Sequence, residues 1–531
     1  MKGTFRKDLQ IASIFSESKW NSFKVHTLLQ NSKQKQPSIN AYLGARYSRS
    51  ADSIVDIAKE VIDNNTDAAQ RLESIFHGYG HKSVGDMADL FVCIENIPIF
   101  TAMEIFYMNS VISGQERSTR YQDFQKPEYI KIPKSLCNAK SIRDEYESII
   151  LKQMSDYTRL LKKTKIVLKE YFHINEDDKS ESNVLQSRSF DTARYLLPYG
   201  LQTSMAAVMS ARNWSELISY FNASKSVVDK EIGKLLYNLL GESNIKIEGY
   251  IKEADGLIRH TEANCCRKNS TKEVLEYMKE GLSNQRVYIS KGCECDSCLV
   301  NYNTNTVEDL LTHYELLLNP LGSEYEYEFD QEDEERIGEK LFKNHNHHNL
   351  VGNLGQSGSI KIEGMATLGT LKDLNRHRSL ERYMPLFHDD IDIDNELSRE
   401  SKDCFFLCNY LEIEELQNLR NEYEESLIET YEMIKKWRKV STQFMSDDAS
   451  KEYTKYLLPH AHSTKYCFYG SFDDLQYTIN LRVRRGGHIS YRSLVYRWLE
   501  LLNTLDGIWY PLMINTEKPD PKSRTQFLDR S

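Results

Sequence analysis

The chain of 531 residues lacks any apolar run of the roughly 18 residues that a membrane-spanning helix needs. Its amino-terminal stretch, MKGTFRKDLQIASIFSESKW, also lacks the apolar core of a signal peptide. These two absences lead us to expect a cytoplasmic location and no membrane partner. In that compartment the ten cysteines are expected to be reduced thiols or metal ligands rather than disulfides.

An excess of positive charge is also missing. Lysine and arginine number 68 against 78 acidic residues, which gives a formal net charge of −10. Broad binding to nucleic acid needs a basic surface, and the arginine-rich run from Arg482 to Arg497 is short and interrupted by two glycines. We therefore expect no nucleic-acid partner and only local cationic sites. The sequence also has no G-x-G-x-x-G or P-loop, which excludes the usual Rossmann and Walker nucleotide sites.

The sequence does contain an internal repeat. The segment DTARYLLPYGLQT, residues 191–203, matches EYTKYLLPHAHST, residues 452–464, with Tyr-Leu-Leu-Pro and a closing threonine in register. Self-similarity at a fixed spacing is typical of duplicated units. We therefore predict two homologous halves, residues 1–245 and 305–531, joined by a cysteine-containing connector at 246–304.

Two weaker matches lie in the same order at nearly the same spacing. STRY at 118–121 corresponds to LERY at 380–383, and a histidine segment near His81 corresponds to one near His347. Three landmarks in one order are difficult to obtain by chance, so they support the division into halves.

Each half has the same predicted sequence of elements, which indicates an α+β fold. Short apolar strands are predicted at 91–97 and 359–365, the second with clear alternation of polar and apolar residues. A helix that is apolar on nearly every face, and hence buried, is predicted at 99–112. Its counterpart is predicted at 367–380, and two helices are expected around each Leu-Pro.

Three basic residues, Arg376, His377 and Arg378, stand together in the text LNRHRSLERYM. On a helix Arg376 and Arg378 are about 200° apart, so either one of them reaches across an interface or the helix ends there. His377 would lie one turn from Asp373 and Glu381, and these carboxylates are expected to hold its ring and raise its pKa.

These segments together resemble the flavin-dependent thymidylate synthases. The resemblance is carried by the Arg-His-Arg triplet, a Glu-x-Ser-x-Arg-Tyr loop in GQERSTRY, the Ala-Arg-x-x-Leu-Pro text in TARYLLP and an Asn-Leu-Arg segment at 480–482. It implies an α+β fold in which each repeat is a small antiparallel sheet with packed helices. In that family four chains of one unit form a tetramer with active sites where chains meet. The present chain would be a fused pair, and a homodimer would form a pseudo-tetramer.

The family's signature is divided between the halves. The first half has the Glu-x-Ser-x-Arg loop but carries Tyr-Met-Asn at 107–109 in place of the basic triplet, whereas the second half keeps the triplet and lacks the loop. The resemblance implies that deoxyuridylate is bound by Glu116, Ser118, Arg120, Arg194 and Arg482. It implies that FAD is bound by Arg376, His377, Arg378, His81, Arg212, Asn480 and His488. Arginine suits such anions because its guanidinium group forms paired hydrogen bonds with oxyanions.

The reaction implied by the resemblance is thymidylate synthesis without a covalent protein nucleophile. Methylenetetrahydrofolate would supply the carbon, reduced FAD the hydride, and NADPH would reduce the flavin. The alternative is a degenerate relative that binds a nucleotide or flavin, or scaffolds an assembly, without making thymidylate. Lys455, in the position that corresponds to Arg194, is one of the departures that favour this alternative.

Two groups of potential metal ligands give weaker signals, and we expect no resident metal. Cys293, Cys295 and Cys298 form C-x-C-x-x-C rather than paired C-x-x-C motifs, so reduced thiols in a connector are favoured over a zinc site. The histidines at 345, 347 and 348 have no carboxylate or thiol ligands close by in the sequence.

Overall fold

The computed structural model describes residues 2–6, 11–15, 22–28, 37–63, 86–119, 128–242, 298–302, 360–387, 393–505 and 516–529. Within these ranges the fold is α+β, as predicted. The strands are β1 Lys2–Arg6, β2 Ile11–Phe15, β3 Lys24–Leu28, β4 Asp89–Pro98, β5 Ser113–Glu116, β6 Gln202–Ser210, β7 Cys298–Tyr302, β8 Ile360–Thr367, β9 Glu381–Tyr383 and β10 Ser463–Gly470. The helices are α1 Pro37–Tyr47, α2 Ile54–Asp63, α3 Ile99–Met108, α4 Lys140–Tyr171, α5 Lys179–Ala193, α6 Ala211–Ala223, α7 Val227–Tyr237, α8 Leu368–Leu374, α9 Ile393–Ser398, α10 Gln417–Ser441, α11 Asp447–Leu457, α12 Phe472–Val483, α13 Ile489–Leu505 and α14 Arg524–Leu528.

The strands form two antiparallel sheets. The first has the order β1-β2-β3-β4-β6-β5 and the second has the order β7-β8-β10-β9. In each sheet a long strand pairs with a second long strand that follows much later in the chain: Phe91 of β4 lies opposite Val208 of β6, and Ile362 of β8 lies opposite Phe468 of β10. Alternate residues of β6 are buried, as expected for a strand with one face on the core.

The order of elements is the same in both halves. In the first half the order is β4-α3-β5-α4-α5-β6-α6-α7, and in the second half it is β8-α8-β9-α10-α11-β10-α12-α13, with α9 added after β9. In both, a strand, a helix and a short strand are followed by two helices, a strand and two further helices. The central strand order also recurs, as β4-β6-β5 and β8-β10-β9.

The two long helices, α4 and α10, pack against each other and join the halves. Trp437 is fully buried and donates a hydrogen bond from its indole N–H to the Ile142 carbonyl, at 3.0 Å. The buried hydroxyl groups of Thr164 and Tyr423 lie 2.7 Å apart. Burial of such large aromatic side chains is a major source of core stability, so the halves share one core.

The halves also meet at the two Leu-Pro segments through reciprocal backbone hydrogen bonds. Tyr199 N donates to Leu458 O at 3.0 Å, and His460 N donates to Leu197 O at 2.9 Å. The rings of Tyr199 and His460 stack with centroids 4.3 Å apart. Gly200 permits this approach, because a Cβ at that position would lie 2.9 Å from the Tyr456 carbonyl oxygen.

The predicted strands at 91–97 and 359–365 are confirmed as β4 and β8, and the predicted buried helix is present as α3. Two predicted lengths were wrong. Helix α3 ends at Met108 rather than at 112, and α8 ends at Leu374 rather than near 380. A strand, β6 or β10, follows each Leu-Pro in place of the second predicted helix. The small residues of β6, QTSMAAVMS, alternate in burial but only weakly in hydrophobicity, which is why the pattern was missed.

None of the helices in the described ranges is both long enough and apolar enough to cross a membrane.

A candidate ligand-binding site between the two halves

The basic triplet lies at the end of α8 and not on a continuous helix. The Thr367 hydroxyl accepts a hydrogen bond from Thr370 N and begins the helix, which ends at Leu374 with Asn375 as its cap. The Asn375 side chain then donates to the Met103 carbonyl of α3 at 2.8 Å. Of the two alternatives given by the sequence, the helix therefore ends before Arg376, and its end contacts the first half of the chain.

A buried ion pair connects the two parts of the divided signature. Lys372 of α8 contacts the carboxylate of Glu116 in β5, and their side chains are only 3% and 2% exposed. Burial lowers the pKa of Lys372, and the charge and hydrogen bond of Glu116 oppose that effect. Glu116, predicted as a substrate residue, thus lies against a lysine that the sequence analysis did not single out.

A second ion pair lies beside the first. The Arg194 guanidinium group, from the helical turn after α5, donates to Asp373 at 2.8 Å, and the arginine side chain is 2% exposed. Burial by itself would raise the pKa of Asp373, but the charge of Arg194 and its hydrogen bond outweigh that effect and hold the pKa well below its usual range. Adjacent residues of α8, Lys372 and Asp373, thus pair with oppositely charged residues of the first half, Glu116 and Arg194. These two ion pairs fix α8 where the halves meet, a region that we call the junction.

The predicted rise in the pKa of His377 is wrong. Its ring is buried and is held by Arg482, whose Nε donates to His377 Nε2 at 2.5 Å, and by the Thr478 hydroxyl, 3.2 Å from Nδ1. Burial lowers the pKa of His377 well below its ordinary value, and the charges of Arg482 and Arg382 lower it further. Burial and the nearby cations, and not the expected carboxylates, determine its state, so His377 is neutral at pH 7 and carries its proton on Nδ1.

The other arginines of the turn differ in exposure. Arg376 is exposed and makes no salt bridge or hydrogen bond with any other residue that the structure describes, while Arg378 makes one long contact, 3.4 Å, with the Ser113 hydroxyl. Arg382 is largely buried and donates to the Asn375 side-chain oxygen at 3.2 Å and to the Tyr107 carbonyl at 3.4 Å. Arg376 and Arg378 are thus the available cations at the surface of this junction.

Arg482 contacts the buried ring of His377, yet it is itself partly exposed. Besides its contact with His377, its guanidinium carbon lies 5.3 Å from the centre of the Tyr491 ring. Its two terminal nitrogens make no hydrogen bond to a residue within the described ranges. They are donors that remain available to an anion.

His460 is fully buried at the same junction. Its Nδ1 donates to the Leu197 carbonyl at 2.7 Å, and its buried Nε2 has no hydrogen-bond partner among the described residues. Burial lowers the pKa of His460 to about 3, and the charges of Lys372 and Arg194 contribute to this shift. Neither His460 nor Lys372 was identified from the sequence, although a lysine within the apolar helix text TLGTLKDL was an available signal.

Acid should destabilise the protein, because the buried histidines His460 and His462 take up a proton more readily in the unfolded chain than in the folded one. An unfolded histidine takes up a proton near pH 6.5, whereas folded His460 and His462 do so only near pH 3. The stability is therefore fully present above about pH 6.5 and falls as the pH decreases towards 3, by up to about 1.4 kcal/mol per pH unit for each histidine. Urea unfolding at pH 7, 6 and 5 should show a smaller pH dependence for His460→Gln. The matched control, His173→Asn at an exposed position, should behave as wild type; equal slopes in all three proteins would contradict this explanation.

The remaining predicted site residues are distributed as follows. Arg212, at the start of α6, forms salt bridges with Asp86 at 3.0 Å and Glu216 at 3.4 Å. His488 is buried, with Nε2 3.1 Å from the Asp191 carbonyl and Nδ1 accepting from Ser490 N. Ser118 is partly exposed and follows β5, and Asn480 is buried on α12, two residues before Arg482. His81, Arg120, Cys293, Cys295 and the histidines at 345–348 lie outside the described residues, and Cys298 begins β7.

Comparison with known proteins gives two similarities. Residues 27–243 match the family model described as thymidylate synthase complementing protein. The chain is also 22% identical over 471 residues to a UPF0159 protein of Chlamydia pneumoniae, and the match covers 83% of this chain and 80% of that protein. The first match includes β4, α3, β5 and the segment that carries Arg194, and the second is long enough to extend across both halves.

Proposed function

Because residues 27–243 match the family model of thymidylate synthase complementing proteins, we propose that the chain is a flavin-dependent thymidylate synthase. This match supports a thymidylate synthase-related function. The finer proposal is that the enzyme makes thymidylate from deoxyuridylate, with methylenetetrahydrofolate as carbon donor and NADPH as reductant of the flavin. The observation that supports it is the contact of Glu116, in the Glu-x-Ser-x-Arg loop of the first half, with Lys372, on the helix that precedes the basic triplet of the second half.

We also propose that the chain is a fused pair of diverged repeats, residues 1–245 and 305–531, joined by a connector. The recurring order of elements supports this, as do the reciprocal hydrogen bonds about Pro198 and Pro459, since a reciprocal contact is typical of two units related by a two-fold axis. Two such chains would associate as a homodimer that forms a pseudo-tetramer.

Deoxyuridylate would bind where the two halves meet. Arg482 is suited to its phosphate, because its terminal nitrogens are available and a guanidinium group binds phosphate through paired hydrogen bonds. Ser118 and Arg120, close in sequence to β5, would complete this binding set. In this proposal Glu116 and Arg194 hold α8 in place below the ligand, since both are buried in ion pairs with α8.

FAD suits the outer part of the junction. Its diphosphate is an anion, and Arg376 and Arg378 are guanidinium donors at the surface of the described structure. Bound there, FAD would supply the hydride for the reaction. His377 would contribute by fixing Arg482, and Asn480 lies on the same helix as Arg482. The roles of His81, Arg212 and His488 in FAD binding remain predictions of the resemblance.

The chain's own residues would contribute mainly electrostatics. Charge that develops on a pyrimidine ring in the transition state is stabilised by fixed cations in a site with little water. Lys372, Arg194 and Arg482 are cations of this kind, and each is held by a described partner. Burial raises the pKa of Cys408 to about 11, so this cysteine is not a thiolate at neutral pH and does not suit the role of a nucleophile.

Flavin binding tests the proposal. The full-length protein should bind FAD and be yellow, and Arg376→Ala should weaken FAD binding at least 10-fold, because a cation for the diphosphate is lost. The variant should unfold at the wild-type urea concentration, since Arg376 is exposed. Arg497→Ala is the matched control, because Arg497 is an exposed arginine of the same half that pairs with Glu500. A colourless protein without FAD affinity would rule the proposal out.

A second candidate function is ligand binding without synthesis. One observation favours it. Glu116 and Arg194, both predicted to contact the substrate, already form buried ion pairs with Lys372 and Asp373. A degenerate family member of this kind would bind FAD or a nucleotide and form no thymidylate. The two candidates therefore differ in turnover and not in flavin binding.

A further inference from the structure

A cavity of about 380 Å³ is lined mainly by residues of the second half, from α8, α10, α13 and the segment 402–412, and also by Tyr195 of the first half. None of Arg376, His377, Arg378 or Arg482 lines it. Its volume is within the range of small-molecule sites in proteins. The cavity is therefore a separate space, large enough for a molecule of nucleoside size.

Four buried residues with hydroxyl groups line the cavity: Thr367, Thr370, Tyr195 and Ser490. Thr367 donates to the Thr370 hydroxyl at 2.9 Å, and the Tyr195 hydroxyl lies 3.4 Å from the same oxygen. Each hydroxyl group can donate one hydrogen bond and accept two. These residues therefore offer both donors and acceptors without a formal charge.

Apolar and polar groups contribute about equally to the lining. Phe405 and Phe406 contribute from the 402–412 segment, Leu494 from α13 and Ile428 from α10. Aromatic and aliphatic surfaces combined with hydroxyl groups are typical of sites that bind polar ring systems.

The charged residues that line the cavity disfavour an anionic ligand. Three carboxylates, Asp403, Glu412 and Glu424, line the cavity together with two cations, Lys402 and Arg420. Both cations are already paired with protein carboxylates: Arg420 lies 2.7 Å from Glu424, and Lys402 lies 2.9 Å from a glutamate outside the cavity. A phosphate or diphosphate would meet an excess of negative charge here, in contrast to the junction that contains Arg376.

From these features we propose that this cavity is a second ligand site, which binds an uncharged hydrogen-bonding heterocycle of nucleobase or nucleoside size. The ring lies between Phe405 and Leu494, and its polar edge faces the hydroxyl groups of Thr370 and Ser490. Binding at this site does not depend on FAD or on turnover.

Thymidine is a suitable probe, because it carries a ring with donors and an acceptor, sugar hydroxyl groups and no charge. Isothermal titration calorimetry of the full-length protein should show one thymidine site per chain. Ile428→Trp, which places an indole in the cavity from the exposed face of α10, should weaken that binding at least 10-fold, and so should Leu407→Trp from the 402–412 segment. The control Ile166→Trp, at an exposed isoleucine of the corresponding helix α4, should leave it unchanged.

The ligand class and the site are tested in the same titrations. Thymidine 5′-carboxylate, which adds one negative charge, should bind the cavity at least 10-fold more weakly than thymidine. Deoxyuridylate binding, which the proposed function assigns to the junction, should be unaffected by Ile428→Trp. Absence of thymidine binding at millimolar concentration, equal affinity for the carboxylate, or thymidine binding that both tryptophan variants leave unchanged would overturn the proposal. None of these results depends on whether the protein makes thymidylate.

Discussion

Replacing Lys372 with methionine should lower the free energy of unfolding by about 3–5 kcal/mol, because the Glu116 carboxylate would remain buried without its cation. Thymidylate formation should also be lost, since a fixed positive charge is removed from the site. Urea unfolding measures the first effect, and the rate of product formation measures the second.

The double variant Glu116→Leu/Lys372→Met separates stability from function. Replacing both members of a buried ion pair by apolar groups of similar size is often neutral or stabilising, so most of the lost stability should return. The activity should not return, because the charge is still absent. A single variant as stable as wild type, or a double variant with normal turnover, would contradict the role assigned to this pair.

Replacing Arg482 with methionine should reduce kcat/KM for deoxyuridylate by roughly 100-fold or more, the size of effect seen when one preorganised donor is removed from a catalytic site. The pKa of His377 should rise, because Arg482 is the largest cause of its depression after burial. Steady-state kinetics and an NMR titration of the His377 ring measure these two effects.

The control for this variant is Arg485→Met, three residues further along. Arg485 is 39% exposed and pairs with Glu517, so its loss should change neither the kinetics nor the titration of His377. If both variants behaved alike, Arg482 would be an ordinary surface arginine and the proposed phosphate contact would be wrong.

The long elements could be predicted from the sequence because their patterns are strong and local. The apolar residues of α4 and α10 recur at helical spacing over many turns, and β8 alternates between polar and apolar residues. Helix α3 is apolar on nearly every face, and residues 99–106 are buried. In each case the residues themselves contain the information that determines the element.

The end of α8 and the state of His377 depend on residues that are distant in the sequence. Asn375 ends the helix by bonding to Met103, and the pKa of His377 is lowered by burial and by Arg482. No local pattern reports these contacts. The sequence favoured carboxylates four residues away on a helix that does not extend that far.

The same reasoning explains which part of the candidate site could be found. The divided signature predicted that Glu116 and Arg376 belong to one site, because motif residues keep their order in each half. It did not predict the contact of Glu116 with Lys372, which is 256 residues away, or the place of His460, which lies beside the first half because the two Leu-Pro segments are adjacent. Pairing across the junction is a property of the folded chain.

Release of tritium from deoxyuridylate labelled at C5 is the most direct test of the central claim, because methylation at that carbon displaces its hydrogen. With FAD, NADPH and methylenetetrahydrofolate, the purified full-length protein should release tritium into water and form an equal amount of thymidylate, and both should disappear without FAD. If the protein binds FAD and deoxyuridylate yet releases no tritium above the level without protein, the chain binds these ligands without synthesis and the claim of synthesis is wrong.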